Sequence, residues 1–269
     1  MMKAKTMRID TLWVEAYQNR SAAGRAAADA CEGFIKTLFN KKESINIIFA
    51  AAPSQNEFLL ALSEKDIDFS RINAYHMDEY IGLAAGDPRL FAHYLNEHIF
   101  QKRKFRSVNM IDTTVGGAAA CRAYDELLKQ NPPDIVCMGI GENGHIAFND
   151  PPYARFDDPE FVRIVKLDEA SRIQQVNDKC FARLDEVPRE AVTLTIPRLM
   201  SARFIVCTVP GALKADAVRC TLYNEIGESC PASILRCHQD ATLFLDADSA
   251  KWVVWHDKGT GILSAEGGR

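Results

Sequence analysis

Four short segments of the chain carry residue types that can do chemistry. The first is Gly139-Ile140-Gly141-Glu142-Asn143-Gly144-His145, which runs on to Asn149 and Asp150. Glycines at 139, 141 and 144 permit a tight turn and a close approach of backbone to a ligand, which puts Gly141 and Gly144 among the candidate substrate contacts. A lone histidine is more often structural than catalytic. Here a glycine turn, His145 and Asp150 follow an apolar run, and that combination points to a site. The second segment is His76-Met77-Asp78-Glu79-Tyr80. Isolated acid pairs usually lie on solvated loops. Asp78, however, sits between Tyr75 and Tyr80, and a carboxylate in such surroundings has a raised pKa and can carry a proton.

The third segment, Ser54-Gln55-Asn56-Glu57, has two readings. Ser54 and Glu57 fit a capping box, a purely structural device. The same helix start can receive a phosphate on its free amides, with Ser54 and Gln55 as donors. The fourth is Lys214, after Pro210-Gly211. A cation at a helix start opposes the helix dipole. It is either a solvated surface lysine or a ligand for an anion that satisfies both lysine and helix end.

These segments need elements to hold them. Apolar runs at 45–50, 72–77, 108–112, 134–140, 161–167, 191–196, 203–209 and 241–246 read as strands, the first of them preceded by 44 residues. Helical patterns lie at 22–30, 55–64, 88–101, 117–130, 168–182 and 212–223. Residues 134–140 are apolar without alternation, as in a parallel strand buried on both faces. Repeated strand–helix alternation predicts an α/β fold, a Rossmann-like three-layer sandwich with a mostly parallel sheet. Ligands bind such sheets beyond the carboxyl ends of the strands, which is where all four segments fall. DPPYARFDDPE at 150–160 reads as a loop, a candidate lid.

The chain has 269 residues, 47% hydrophobic and 25% charged, with a net charge of -4. Those values exclude a disordered chain and a coiled coil, and no basic patch suggests nucleic acid. There is no internal repeat or linker, so residues 1–269 are expected to form a single domain. No apolar run is long enough to span a bilayer, and the start lacks the order of a secretory signal. Eight cysteines without a C-x-x-C pair read as reduced thiols in a cytoplasmic protein. A closed homo-oligomer is the ordinary arrangement for a soluble enzyme.

Taken together, these residues resemble the glucosamine-6-phosphate deaminase/isomerase family, which is related to the 6-phosphogluconolactonases. The matching segments are MDEYIGL at 77–83 and GIGENGHIAFNDPP at 139–152. DEVPREAVTLTIPRLMSA at 185–202, VPGALKADAV at 209–218 and PASILRCHQDATLFLDADSA at 231–250 match in the family's order. The resemblance implies a Rossmann-like sandwich and a small-molecule sugar phosphate substrate, with no metal or other cofactor. It also implies conversion of an amino sugar 6-phosphate to a ketose 6-phosphate and ammonia. By resemblance, Asp78 moves a proton between C2 and C1, His145 helps open the sugar ring and Lys214 holds the phosphate. Glu79 is expected beside the substrate.

The chain departs from the family at three places. Better-known deaminases carry Asp at the position of Asn143 and Glu at that of Asp150, which reduces an acid–histidine–acid relay to His145 with Asp150. AAAPSQN at 50–56 replaces the usual Gly- and Thr-rich phosphate turn. No arginine matches the family's second phosphate cation, although Arg172 and Lys179 lie in the corresponding region. The polar run from Gln174 to Asp178 suggests a modified pocket, with an epimer such as galactosamine 6-phosphate as one substrate. Three alternatives remain. One is a sugar-phosphate lactone hydrolase in which His145 activates water, and another is a non-catalytic sugar-phosphate binder. The third is a metal-dependent hydrolase using His76, Asp78, Glu79 and His145.

Overall fold

The computed structural model describes residues 5–255. The chain opens with a hairpin, β1 (Lys5–Ile9) and β2 (Leu12–Ala16), so a strand pair precedes the expected first strand. Its signal is the alternation of buried Leu12, Val14 and Ala16 with Trp13 and Glu15. There follow α1 (Arg20–Phe39), β3 (Ile45–Phe49), α2 (Asn56–Ser63), β4 (Ile72–His76), β5 (Asp78–Tyr80) and α3 (Phe91–Leu95). Next come β6 (Ser107–Asn109), α4 (Gly117–Gln130), β7 (Ile135–Met138), β8 (Val162–Lys166) and α5 (Glu169–Asn177). The last are β9 (Glu190–Leu194), α6 (Ile196–Met200), β10 (Phe204–Val209), α7 (Ala215–Tyr223) and β11 (Ala241–Leu245).

Eight strands form one sheet in the order β1-β2-β11-β10-β7-β3-β4-β6, parallel throughout except for the hairpin. Its central strands bury both faces. In β10, Ile205, Cys207 and Val209 face one core with α4, α6 and α7, while Phe204 and Val206 face a second core with α1 and α2. This two-residue period gives the three-layer α/β sandwich.

Runs 161–167 and 191–196 do not join the main sheet. As β8 and β9 they pair antiparallel with β5 in a separate three-stranded sheet. Helix 88–101 also differs from expectation: α3 is one turn and a π-helical turn follows over Asn96–Phe100. The 150–160 loop is tied to β8, because Arg163 pairs with buried Asp158 at 2.8 Å.

Two features set the frame of the site. The chain runs outward from β3 to β4 and β6, then returns to β7 on the other side of β3. That reversal opens a crevice beyond the ends of β3 and β7. On the opposite layer, α1 lies close to α2 because Gly24 has no side chain. A Cβ there would stand 2.7 Å from the Glu57 backbone. Arg20 and Glu57 close the same contact with a 2.9 Å ion pair. No helix among the described residues is long and apolar enough to cross a membrane.

Candidate active site

The crevice is a pocket that gathers residues from the ends of four neighbouring strands. Ser54 and Gln55 follow β3, Asp78 follows β4, Gly141 and His145 follow β7, and Lys214 follows β10. Met77, Phe91 and Phe148 supply apolar walls, while Gln174 and Gln175 of α5 supply amides.

Asp78 is where the chain leaves the main sheet for the side sheet. Its backbone pairs with Thr193 of β9, so its position is fixed on both sides. Asp78 is 7% exposed, and its carboxyl takes no hydrogen bond from the described residues. Burial, then the neighbouring charge of Glu79, raise its pKa well above the ordinary carboxylate value.

Glu79 turns the other way. It accepts the amides of Tyr80 (2.9 Å), Phe91 (3.1 Å) and Ala92 (2.8 Å), and so holds the start of α3. The expectation that it touches substrate gives way to this structural role, because strand alternation sends adjacent side chains to opposite faces. His76 is also withdrawn from the pocket. Its Nε2 accepts the Ile111 amide at 2.8 Å, and burial lowers its pKa to about 3. The four residues of the metal-hydrolase alternative therefore do not converge. No group of three or more potential ligands gathers among the described residues.

The loop after β7 is shaped around the His145 ring. A Cβ on Gly141 would fall 2.1 Å from Cε1 and 2.3 Å from Nδ1, so only glycine leaves room for the imidazole. Gly144 lies outside the pocket lining. It takes φ +85° and packs against Cys230, which makes it a turn residue. Asn149 pins the next turn by donating to the carbonyls of Ile146 and Leu194, both at 2.9 Å.

Three oxygens face Nδ1 of His145: Asn143 Oδ1 at 2.7 Å, Ser171 Oγ at 2.9 Å and Asp150 Oδ1 at 3.1 Å. Asn143 Nδ2 donates to Asp150 at 3.0 Å, which turns the Asn143 carbonyl toward the ring. Asp150 is fully buried. Burial alone would raise its pKa, but the bonds from His145, Asn143 and Ser171 outweigh it and hold the carboxyl at about 2. An ionised Asp150 and the Asn143 carbonyl are both acceptors, so Nδ1 carries the proton and Nε2 is the basic nitrogen. Asn143 thus keeps an orienting role without a charge. Neither Asn143 nor Asp150 lines the pocket; both act behind His145.

Lys214 is 5% exposed and unpaired among the described residues, and burial lowers its pKa. The surface-lysine reading is therefore overturned. The capping-box reading fails as well. Helix α2 starts at Asn56 without a side-chain cap. Ser54 instead accepts from Gln55 Nε2 at 3.1 Å, and both line the pocket. Arg172 donates to the carbonyls of Leu184 and Val187 and so braces a loop. Neither Arg172 nor Lys179 reaches the pocket, which leaves Lys214 as the only lysine or arginine of the described residues in its lining.

Ser171 joins the site without a motif to mark it. Its signal is the spacing Ser171, Gln174, Gln175, three buried polar residues on one face of α5. Gln174 also receives the Glu142 amide at 2.8 Å, joining the helix to the β7 loop.

A model of the family described as glucosamine-6-phosphate isomerases/6-phosphogluconolactonase matches residues 18–244. The glucosamine-6-phosphate deaminase of Listeria monocytogenes serotype 4a is 34% identical over 235 residues, covering 87% of this chain and 96% of that protein. That of Streptococcus pneumoniae serotype 4 is 29% identical over 233 residues, covering 86% and 96%. The solved structure of a monomeric glucosamine-6-phosphate deaminase superposes with a TM-score of 0.81 at 29% identity, covering 91% of this chain and 99% of that one. A Thermotoga maritima 6-phosphogluconolactonase shares the fold, with a TM-score of 0.71 at 17% identity over 87% and 98%.

Proposed function

Because the chain belongs to the family of glucosamine-6-phosphate isomerases and 6-phosphogluconolactonases, we propose that its pocket converts an amino sugar 6-phosphate to the ketose 6-phosphate and ammonia. The chain is an enzyme acting on an amino sugar phosphate, the activity for which its relatives at about one-third identity are named. The finer reading is glucosamine 6-phosphate or its galactosamine epimer as substrate, handled in the cytoplasm.

One observation supports this most strongly. A buried carboxyl (Asp78), an oriented imidazole (His145) and an unpaired ammonium (Lys214) face the same pocket. Lys214 binds the phosphate, and that remote binding energy places the sugar. His145 Nε2 takes the proton of the anomeric hydroxyl as the ring opens and returns a proton to the ring oxygen. Asp78, ionised, removes the proton from C2 and delivers it to C1. The resulting ketose imine is hydrolysed by water, releasing ammonia. The raised pKa of Asp78 makes it a stronger base than an ordinary carboxylate, which suits proton abstraction beside an imine or carbonyl.

The test is release of ammonia and ketose 6-phosphate from glucosamine, galactosamine and mannosamine 6-phosphates, with 6-phosphogluconolactone alongside. Ammonia from one epimer is the expected result. Silence on all three with lactone hydrolysis would transfer the site to the lactonase branch.

A further inference from the structure

Ser171 has one proton and two partners. Asp150 is held as a carboxylate and can only accept, so the Ser171 hydroxyl donates to Asp150 Oδ1. Toward His145, 2.9 Å away, the hydroxyl is then an acceptor. Asp150 Oδ2 is buried with no partner among the described residues, so the carboxylate depends on donors to Oδ1: Asn143, Ser171 and the ring itself. Asn143 lies in the same loop as His145. Ser171 reaches in from α5, a separate element, and ties that helix to the imidazole and the carboxylate at once.

We propose that Ser171 is a positioning residue that keeps the proton of His145 on Nδ1 by holding the Asp150 carboxylate turned toward the ring. The proposal rests on the reading of His145 as the ring-opening base. Without Ser171, Nδ1 loses one of the three oxygens that face it and Oδ1 loses one of its donors, so the carboxylate is no longer held turned toward the ring. With the carboxylate turned away, Nδ1–H has lost acceptors, and the same hydrogen can leave Nδ1 for solvent while solvent returns one to Nε2. The ring then carries its hydrogen on Nε2 and no longer offers the substrate a base.

The experiment compares wild type and Ser171→Ala by the ¹⁵N shifts of the imidazole nitrogens, with His145→Gln to identify the His145 signals. Wild type should show hydrogen on Nδ1, and Ser171→Ala a substantial Nε2–H population at His145 alone. On an amino sugar 6-phosphate, Ser171→Ala should lose about 10- to 100-fold in kcat, with KM within about twofold. An Nε2–H tautomer in wild type, or an unchanged tautomer in Ser171→Ala, overturns the proposal whatever the activity. A changed tautomer with unchanged kcat overturns its part in turnover. If wild type releases no ammonia from any amino sugar phosphate, the functional reading falls, and the imidazole signals still decide the placement of the proton.

Discussion

Asp78 is held where a carboxylate is least comfortable, and that discomfort separates activity from stability. Its folded pKa is raised, so the native state binds the proton more tightly than the unfolded chain does. Stability from this residue is present at low pH and is lost as pH rises from the ordinary carboxylate value through the folded one. Asp78→Asn should therefore lower kcat by roughly 10²- to 10⁴-fold while raising Tm at neutral pH. Paired rate and melting measurements check both. A variant that kept its rate would remove Asp78 from the proton transfer. The same scale shows what the sequence hides. Asp78, His145 and Lys214 stand in segments whose residue types announce them. Ser171 does not, because its partners lie 21 and 26 residues away in sequence, and only folding brings α5 over the β7 loop. Glu79 misleads for the opposite reason: it adjoins Asp78 in sequence and points away from it in space.

At the scale of elements, hydrophobic runs identified the parallel strands because burial on both faces leaves an unbroken apolar stretch. They did not reveal which sheet a strand joins. β8 and β9 have the composition of main-sheet strands, yet they form the side sheet that anchors Asp78. The helix pair α1 and α2 offers a direct test of how the outer layer supports the pocket. Gly24→Ala places a methyl 2.7 Å from the backbone of Glu57 and 2.8 Å from that of Phe58. Overpacking of this kind costs about 1–3 kcal/mol, measurable by urea denaturation. The short turn that leads into α2, Pro53–Gln55, carries Ser54 and Gln55 into the pocket, so KM should rise with the loss of stability. Unaltered stability would mean that the two helices separate freely.

For the whole molecule, His76 sets a limit on acid tolerance. It is entirely buried, its Nδ1 has no partner among the described residues, and burial lowers its pKa to about 3. The unfolded chain takes up a proton near the ordinary value of 6.5 that native His76 refuses. Its contribution is therefore complete above about pH 6.5 and declines as pH falls toward 3. Each tenfold change in proton affinity is about 1.4 kcal/mol, so this residue alone accounts for several kcal/mol over that range. His76→Gln keeps an acceptor for Ile111. Its melting temperature should fall less steeply between pH 6.5 and 4 than that of wild type; parallel curves would show that His76 is not the acid-sensitive group. The division of the molecule into two sheets has a further consequence. Asp78 stands at the point where they part, pinned on one side of the pocket. In the proposed reaction a single carboxyl visits both carbons from that side. The hydrogen that departs C2 and the one that arrives at C1 therefore share one face of the planar intermediate, and the handedness of the labelled product is written by the branching of the two sheets.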